Sequence, residues 1–263
     1  MRLQLFCLLA IVIALSNPAI AGPDAAYVYK RPVAETRIAI IIDDIGYNIP
    51  LGRRTVAINA PLTLAVLPFT PGAVQLAEAG HRSGKEIMLH APMSNYQDKQ
   101  LGPGALTADL NKNDFLQVLR NNIRAIPHIR GVNNHMGSEL TTLPEPMQWV
   151  MEELLQQDLY FIDSFTNSDS VAYDTARNHG VVSQKRDVFL DHIQEKQAIE
   201  SAFDQLIRKA QRNGYAIAIG HPYPETLEVL ERRLPQLAAN GIKLVPVSTL
   251  IRHQPGTRLA EKH

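Results

Sequence analysis

Arg37-Ile38-Ala39-Ile40-Ile41-Ile42-Asp43-Asp44-Ile45-Gly46-Tyr47-Asn48 sets the frame for the whole chain. The apolar run Ile38 to Ile42 predicts a strand buried on both faces, and such strands belong to parallel sheets with helices on each side. Two adjacent carboxylates stand where that strand ends, just ahead of a glycine turn. Ligands of α/β proteins gather at the C-terminal ends of parallel strands. Asp43 and Asp44 are therefore candidates for chemistry as well as for capping a turn.

Outward from this stretch, apolar runs alternate with helical patterns. Further strands are expected at 62–67, 86–90, near 130–133, and at 159–163, 180–183, 215–220 and 242–247. Helices are expected at 72–83 and 112–126, around Met147–Leu155, around Ile199–Ala210, and from Leu227 to Leu237. Seven or eight mostly parallel strands, each followed by a helix or loop, give an α/β protein built from β/α units. No glycine-rich dinucleotide loop follows any strand, and polar residues recur at the ends of many different strands. That distribution is the one a barrel mouth produces, so a (β/α) barrel is expected in preference to an open sheet.

The strand ends carry a common theme. The first ends on Asp43-Asp44 and the third on His90. The fourth leads into Asn133-Asn134-His135-Met136-Gly137-Ser138, the fifth ends in Asp163-Ser164, and the seventh in Gly220-His221-Pro222. One histidine in such a place is ordinary turn chemistry; three, together with two acids, point to a site. An Asp oxygen and two imidazole nitrogens suit zinc or a similar divalent ion with a position left open. A spare carboxylate and a spare histidine would then serve as base and acid in amide or ester hydrolysis.

Composition narrows the setting. Met1-Arg2, an apolar run from Leu3 to Leu15 and Ala19-Ile20-Ala21 describe a signal peptide over 1–21, cut after Ala21. An uncleaved form would be the chain's only expected contact with a membrane. Residues 22–36 are expected to be a linker, 37–252 the folded domain and 253–263 a polar tail. Cys7, the one cysteine, lies inside the signal, so the mature chain has no disulfide, thiolate site or cysteine nucleophile. These features suggest export to the periplasm or cell envelope of a bacterium. Loss of Arg2 leaves 25 basic residues facing 26 acidic ones, a balance that argues against nucleic acid as the main partner.

The pattern resembles the NodB-type polysaccharide deacetylases, and within them the divergent, YibQ-like branch, from about residue 37 to residue 251. Ile41-Ile42-Asp43-Asp44-Ile45-Gly46 is similar to the family's Thr-Phe-Asp-Asp-Gly motif with one residue inserted. Gly84-Lys85-Glu86-Ile87-Met88-Leu89-His90 is similar to the strand and first histidine of its His-x-x-x-His motif, but the second histidine is replaced by Ser94. The Arg-x-Pro motif is absent, and Val132-Asn133-Asn134-His135-Met136-Gly137 takes its place. Ala218-Ile219-Gly220-His221 resembles the closing Leu-x-His motif, and Phe161-Ile162-Asp163-Ser164 the fourth.

The resemblance implies a distorted (β/α) barrel and a metal-dependent hydrolase that removes acetyl groups from an envelope polysaccharide, with a peptidoglycan-type glycan as partner. It makes Asp43 the general base, His221 the general acid, and Asp44 and His90 ligands of a divalent metal, with zinc expected. His135 is proposed to supply the missing third ligand. Asp163, Asn134 and Arg186 are supporting residues, with Arg186 as candidate for the arginine that steadies the base. The main alternative is a glycan- or metal-binding envelope module without turnover. A glycosidase using Asp43 and Asp163 and a metal-dependent esterase or phosphatase also remain open, whereas no Gly-x-Ser-x-Gly elbow supports a serine hydrolase.

Overall fold

The computed structural model describes residues 35–252. The expected signal peptide, most of the expected linker and the tail 253–263 lie outside the described residues. The chain runs through β1 (Thr36–Ile45), α1 (Ile49–Ala57), β2 (Thr63–Val66), α2 (Ala73–Arg82) and β3 (Glu86–Met93). It continues with α3 (Lys112–Ala125), β4 (Ile129–Met136), α4 (Pro144–Gln156), β5 (Tyr160–Asp163), α5 (Ala172–Asn178) and β6 (Ser183–Lys185). Then come β7 (Val188–Phe189), α6 (Lys196–Asn213), β8 (Tyr215–Gly220), α7 (Pro224–Arg233), β9 (Ile242–Leu244) and α8 (Val247–Arg252).

Every strand pairing is parallel, in the order β6-β5-β4-β3-β2-β1-β8-β7. β9 adds to the start of β1, with Thr36 opposite Ile242 and Ile38 opposite Leu244. The path curls until its two ends, β6 and β7, are neighbours in the chain. Only Arg186 and Asp187 separate them. The Arg186 amide donates to the Asp163 carbonyl at 3.0 Å and the Asp187 amide to the Ile217 carbonyl at 2.9 Å. A covalent step thus spans the seam of a distorted barrel where no ladder is formed.

Strand alternation sorts the side chains into two buried clusters. Ile38, Ile40, Ile42, Leu64, Val66, Leu89, Val132, Phe161 and Ala218 pack with apolar residues of the surrounding helices, such as Phe115, Leu119 and Phe203. Ala39, Ile41, Ala65, Met88, Tyr160, Ile162, Ile217 and Ile219 form the barrel interior, packed with Val245, Val247, Leu250 and Ile251. α8 therefore plugs the floor. Continuing the interior parity toward the strand ends gives Asp43, His90, Asn133, His135, Ser164 and His221. The barrel is apolar below and polar at its mouth, and the same alternation builds both layers.

The sequence predicts seven or eight strands; nine form among the described residues. The strand expected at 180–183 lies at 183–185, after the left-handed Gly180 (φ 76°). The strand expected over 242–247 stops at Leu244, because Pro246 lacks the donor a ladder needs. Its last residue instead opens α8.

Candidate active site

β1 delivers both of its acids to the mouth by breaking its own regularity. Adjacent strand residues normally face opposite ways. Asp44, however, has φ 56°, and the register against β2 shifts between Ile42 and Ile45. A non-glycine residue in the left-handed region is costly and marks a constrained place in a fold. Here the bulge turns Asp44 toward the mouth beside Asp43.

Asp44, His90 and His135 bring one ligand atom each to a common point. Asp44 Oδ1 lies 2.9 Å from His135 Nδ1 and 3.2 Å from His90 Nε2, and the two ring nitrogens are 3.1 Å apart. Ligands about 2.0–2.2 Å from a tetrahedral zinc stand about 3.3 Å from each other, so this triangle fits the face of such a coordination sphere. Asp44 Oδ1 is also buried and meets no hydrogen-bond donor in good alignment. A buried carboxylate oxygen left unsatisfied between two imidazoles is what a cation site requires. Burial by itself would raise the pKa of Asp44, but His135 and His90 outweigh it and hold the carboxyl far below the ordinary range.

Beside the triangle, Asp43 is buried, with Oδ2 3.6 Å from His90 Nε2. Burial pushes its pKa up, against the pull of His90, His221 and an Asn133 hydrogen bond, with the Asp44 charge adding to the rise. Asn133 Nδ2 donates to Asp43 Oδ1 at 2.8 Å, and Asn133 Oδ1 pairs with His90 Nδ1 at 2.8 Å.

On the other side stands His221, its Nε2 3.8 Å from Asp44 Oδ2. Asp191 Oδ1 holds its Nδ1 at 2.9 Å, while Asp191 Oδ2 accepts from the His221 amide at 2.6 Å and from Thr226 Oγ1 at 2.8 Å. Phe189 and Tyr223 lie against the ring, at centroid distances of 5.5 and 5.3 Å. Burial would lower the pKa of His221. The Asp191 hydrogen bond and the charges of Asp43, Asp191 and Asp44 reverse this and raise it to about 9.

The five residues expected to act, Asp43, Asp44, His90, His135 and His221, thus meet at one mouth. The three supporting residues stand elsewhere. Asp163 accepts from the Phe165 amide and from Ser170 Oγ, bracing the loop after β5. Asn134 has the parity opposite to His135 and bridges the Met136 carbonyl and the Ser164 amide. Arg186 donates to the Ser164 and Phe165 carbonyls at 2.7 and 3.1 Å and lies over the Phe189 ring. It feels the charge of Asp43, but the contact expected of it is made by Asn133. Asn133 and Asp191 are the residues that the sequence reading passes over.

Residues 40–251 match the family described as divergent polysaccharide deacetylase. The chain belongs to the divergent polysaccharide deacetylase family. It is 36% identical to the uncharacterized protein YibQ of Escherichia coli K12, covering 92% of this chain and 71% of that protein. It is 34% identical to an uncharacterized protein of Haemophilus influenzae, covering 84% of this chain and 79% of the other. Among solved structures, an uncharacterized protein of Agrobacterium tumefaciens C58 superposes with a TM-score of 0.79 at 24% identity, covering 82% and 89% of the two chains. A peptidoglycan N-acetylglucosamine deacetylase gives 0.53 at 12% identity, covering 85% and 91%. A family 4 carbohydrate esterase pseudoenzyme from Bacillus anthracis gives 0.52 at 13%, covering 82% and 66%. At these identities the likeness is one of fold, and the fold holds a deacetylase and a pseudoenzyme alike. Whether this divergent polysaccharide deacetylase turns over depends on its own residues.

Proposed function

We propose that this divergent polysaccharide deacetylase is a metal-dependent hydrolase that removes acetyl groups from an envelope polysaccharide. The observation that carries the reading is the placement of Asp43 and His221 beside the Asp44–His90–His135 triangle, each with its own hydrogen-bonding partner. Binding alone needs neither a base nor an acid.

A divalent ion held by Asp44, His90 and His135 would supply Lewis acidity, polarising the acetyl carbonyl and acidifying water; zinc suits the mixed oxygen and nitrogen donors. Asp43 takes a proton from the attacking water as its oxygen bonds to the carbonyl carbon. The C–N bond of an amide, or C–O bond of an ester, then breaks as His221 Nε2 gives its proton to the leaving atom. Acetate and a free amine or hydroxyl result. Asp191 keeps the His221 ring turned so that Nε2, not Nδ1, faces the mouth. The segment 1–21 supports export to the periplasm or cell envelope, where a glycan substrate would be met.

Ser94, at the position of the family's second histidine, favours the competing reading of a binding module. Acetate release decides between them. Purified mature protein loaded with zinc is expected to free acetate from acetylated peptidoglycan or chitooligosaccharides. Asp44→Ala and His135→Ala are expected to lose bound metal on elemental analysis. Asp43→Asn is expected to keep it while acetate release falls by about 100-fold or more. Metal content unchanged in the first two variants would remove the ligand assignment. Full turnover in the third would remove Asp43 as base.

A further inference from the structure

We propose that the Asn133 side-chain amide is a positioning residue with two separable tasks. Its oxygen fixes which nitrogen of His90 faces the ligand triangle, and its nitrogen holds Asp43 in place. The inference rests on the metal-site reading given above for Asp44, His90 and His135.

Asn133 is fully buried. It is the cross-strand partner of His90 in the β3–β4 ladder, so their side chains meet because the register makes them meet. An amide oxygen can only accept, so the 2.8 Å contact from Asn133 Oδ1 requires a proton on His90 Nδ1. The Nε2 lone pair is then free to point at Asp44 Oδ1 and His135 Nδ1. The amide cannot be reversed cheaply. Its oxygen would then face Asp43 Oδ1, now 2.8 Å from Nδ2, and acceptor would oppose acceptor. Nδ2 also reaches Ser164 Oγ at 3.3 Å, which takes the amide's second hydrogen. One planar group therefore links a ligand on β3, the base on β1 and the end of β5. Partners of this kind, behind a metal-bound histidine, typically set its tautomer and its affinity for the ion. Asn133 does this with no net charge, and the arginine nearest in role, Arg186, is engaged by two carbonyls.

Two substitutions separate the tasks. Asn133→Asp keeps an acceptor for His90 and removes the donor to Asp43; Asn133→Ala removes both. In calorimetric zinc titrations of metal-free protein, Asn133→Asp is expected to bind zinc as the wild type does, and Asn133→Ala about 10–100-fold more weakly. Both variants are expected to release acetate about 100-fold more slowly when saturated with zinc. Wild-type zinc affinity in Asn133→Ala, or equal loss in both variants, would overturn the oxygen's task. Wild-type turnover in Asn133→Asp would overturn the nitrogen's. Should either variant fail to fold, nitrogen-15 NMR of the zinc-loaded wild type decides the tautomer: a proton on His90 Nδ1 is expected, and a proton on Nε2 sinks the proposal. A wild type that binds zinc but frees no acetate leaves the titration arm standing and refutes the deacetylase reading instead. A wild type that binds no zinc refutes both.

Discussion

Asp191 sets the orientation and charge of the His221 ring. Its carboxylate holds Nδ1 at 2.9 Å while the backbone amide of His221 and the Thr226 hydroxyl fix the other oxygen. A general acid works only while protonated, so deacetylation is expected to fall as pH rises through the His221 pKa of about 9. A cation held at Asp44 would offset part of that carboxylate's charge and draw this limb downward. On the acid side Asp43 must be ionised, and burial places its limb above the ordinary carboxylate value. Asp191→Asn keeps an acceptor but removes a charge that stabilises the imidazolium, so the basic limb of the kcat/KM profile is expected to move to lower pH. An unmoved limb would take the acid role away from His221. The five residues that meet at the mouth are legible in the sequence because each sits at or near the end of a recognisable strand. Asp191 is hidden because the strand just before it, β7, is two residues long and leaves no periodicity to read. Asn133 carries a signal that goes unused: it shares the parity of His135, whereas Asn134 does not.

Strand ends, as elements, repeat one device. Asp44, Met136 and Phe165 all have positive φ, at 56°, 54° and 51°, one at the end of each of β1 and β4 and one just past β5. At Asp44 it marks the bulge after which Ile45 still pairs with Val66, and at Met136 and Phe165 it comes as the chain leaves β4 and β5. The long buried strands and the striped helices are visible in sequence as runs and as 3–4 spacing. α1 is not, since Pro50, Gly52 and the pair Arg53-Arg54 interrupt its apolar stripe. β4 shows how tightly an element can be tied to its neighbour. A Cβ on Gly131 would lie 2.3 Å from a carbon of the Tyr160 ring, and that ring is held by its hydroxyl, which donates to Glu86 at 2.9 Å. Gly131→Ala is therefore expected to shift β4, which carries Asn133 and His135, and to destabilise the fold by about 1–3 kcal/mol. Thermal unfolding with and without zinc measures it; an unchanged melting temperature would mean that the ring yields freely.

Across the whole molecule, the mouth and the floor of the barrel do opposite work. The mouth gathers charge, and the floor is sealed by α8 against Ala39, Met88 and Tyr160. A single carboxylate organises that seal. Glu86 Oε1 accepts from Thr63 Oγ1 at 3.2 Å, Tyr160 Oη at 2.9 Å and the Ser248 amide at 3.1 Å, and Thr63 Oγ1 accepts in turn from the Val247 amide at 3.1 Å. The first turn of α8 thereby finds acceptors for amides that no helix can satisfy internally, and a carboxylate suits the positive end of its dipole. Glu86→Ala strands these donors at a cost of about 1–3 kcal/mol for each one left buried and unpaired. The expected result is a lower melting temperature and faster hydrogen exchange at the amides of α8. Zinc affinity is expected to stay at the wild-type level, because the interior layer of Ile41, Ile162, Ile217 and Ile219 separates the floor from the ligands. A loss of zinc affinity matching the loss of stability would show that the plug, and not the strand ends alone, sets the geometry of the mouth.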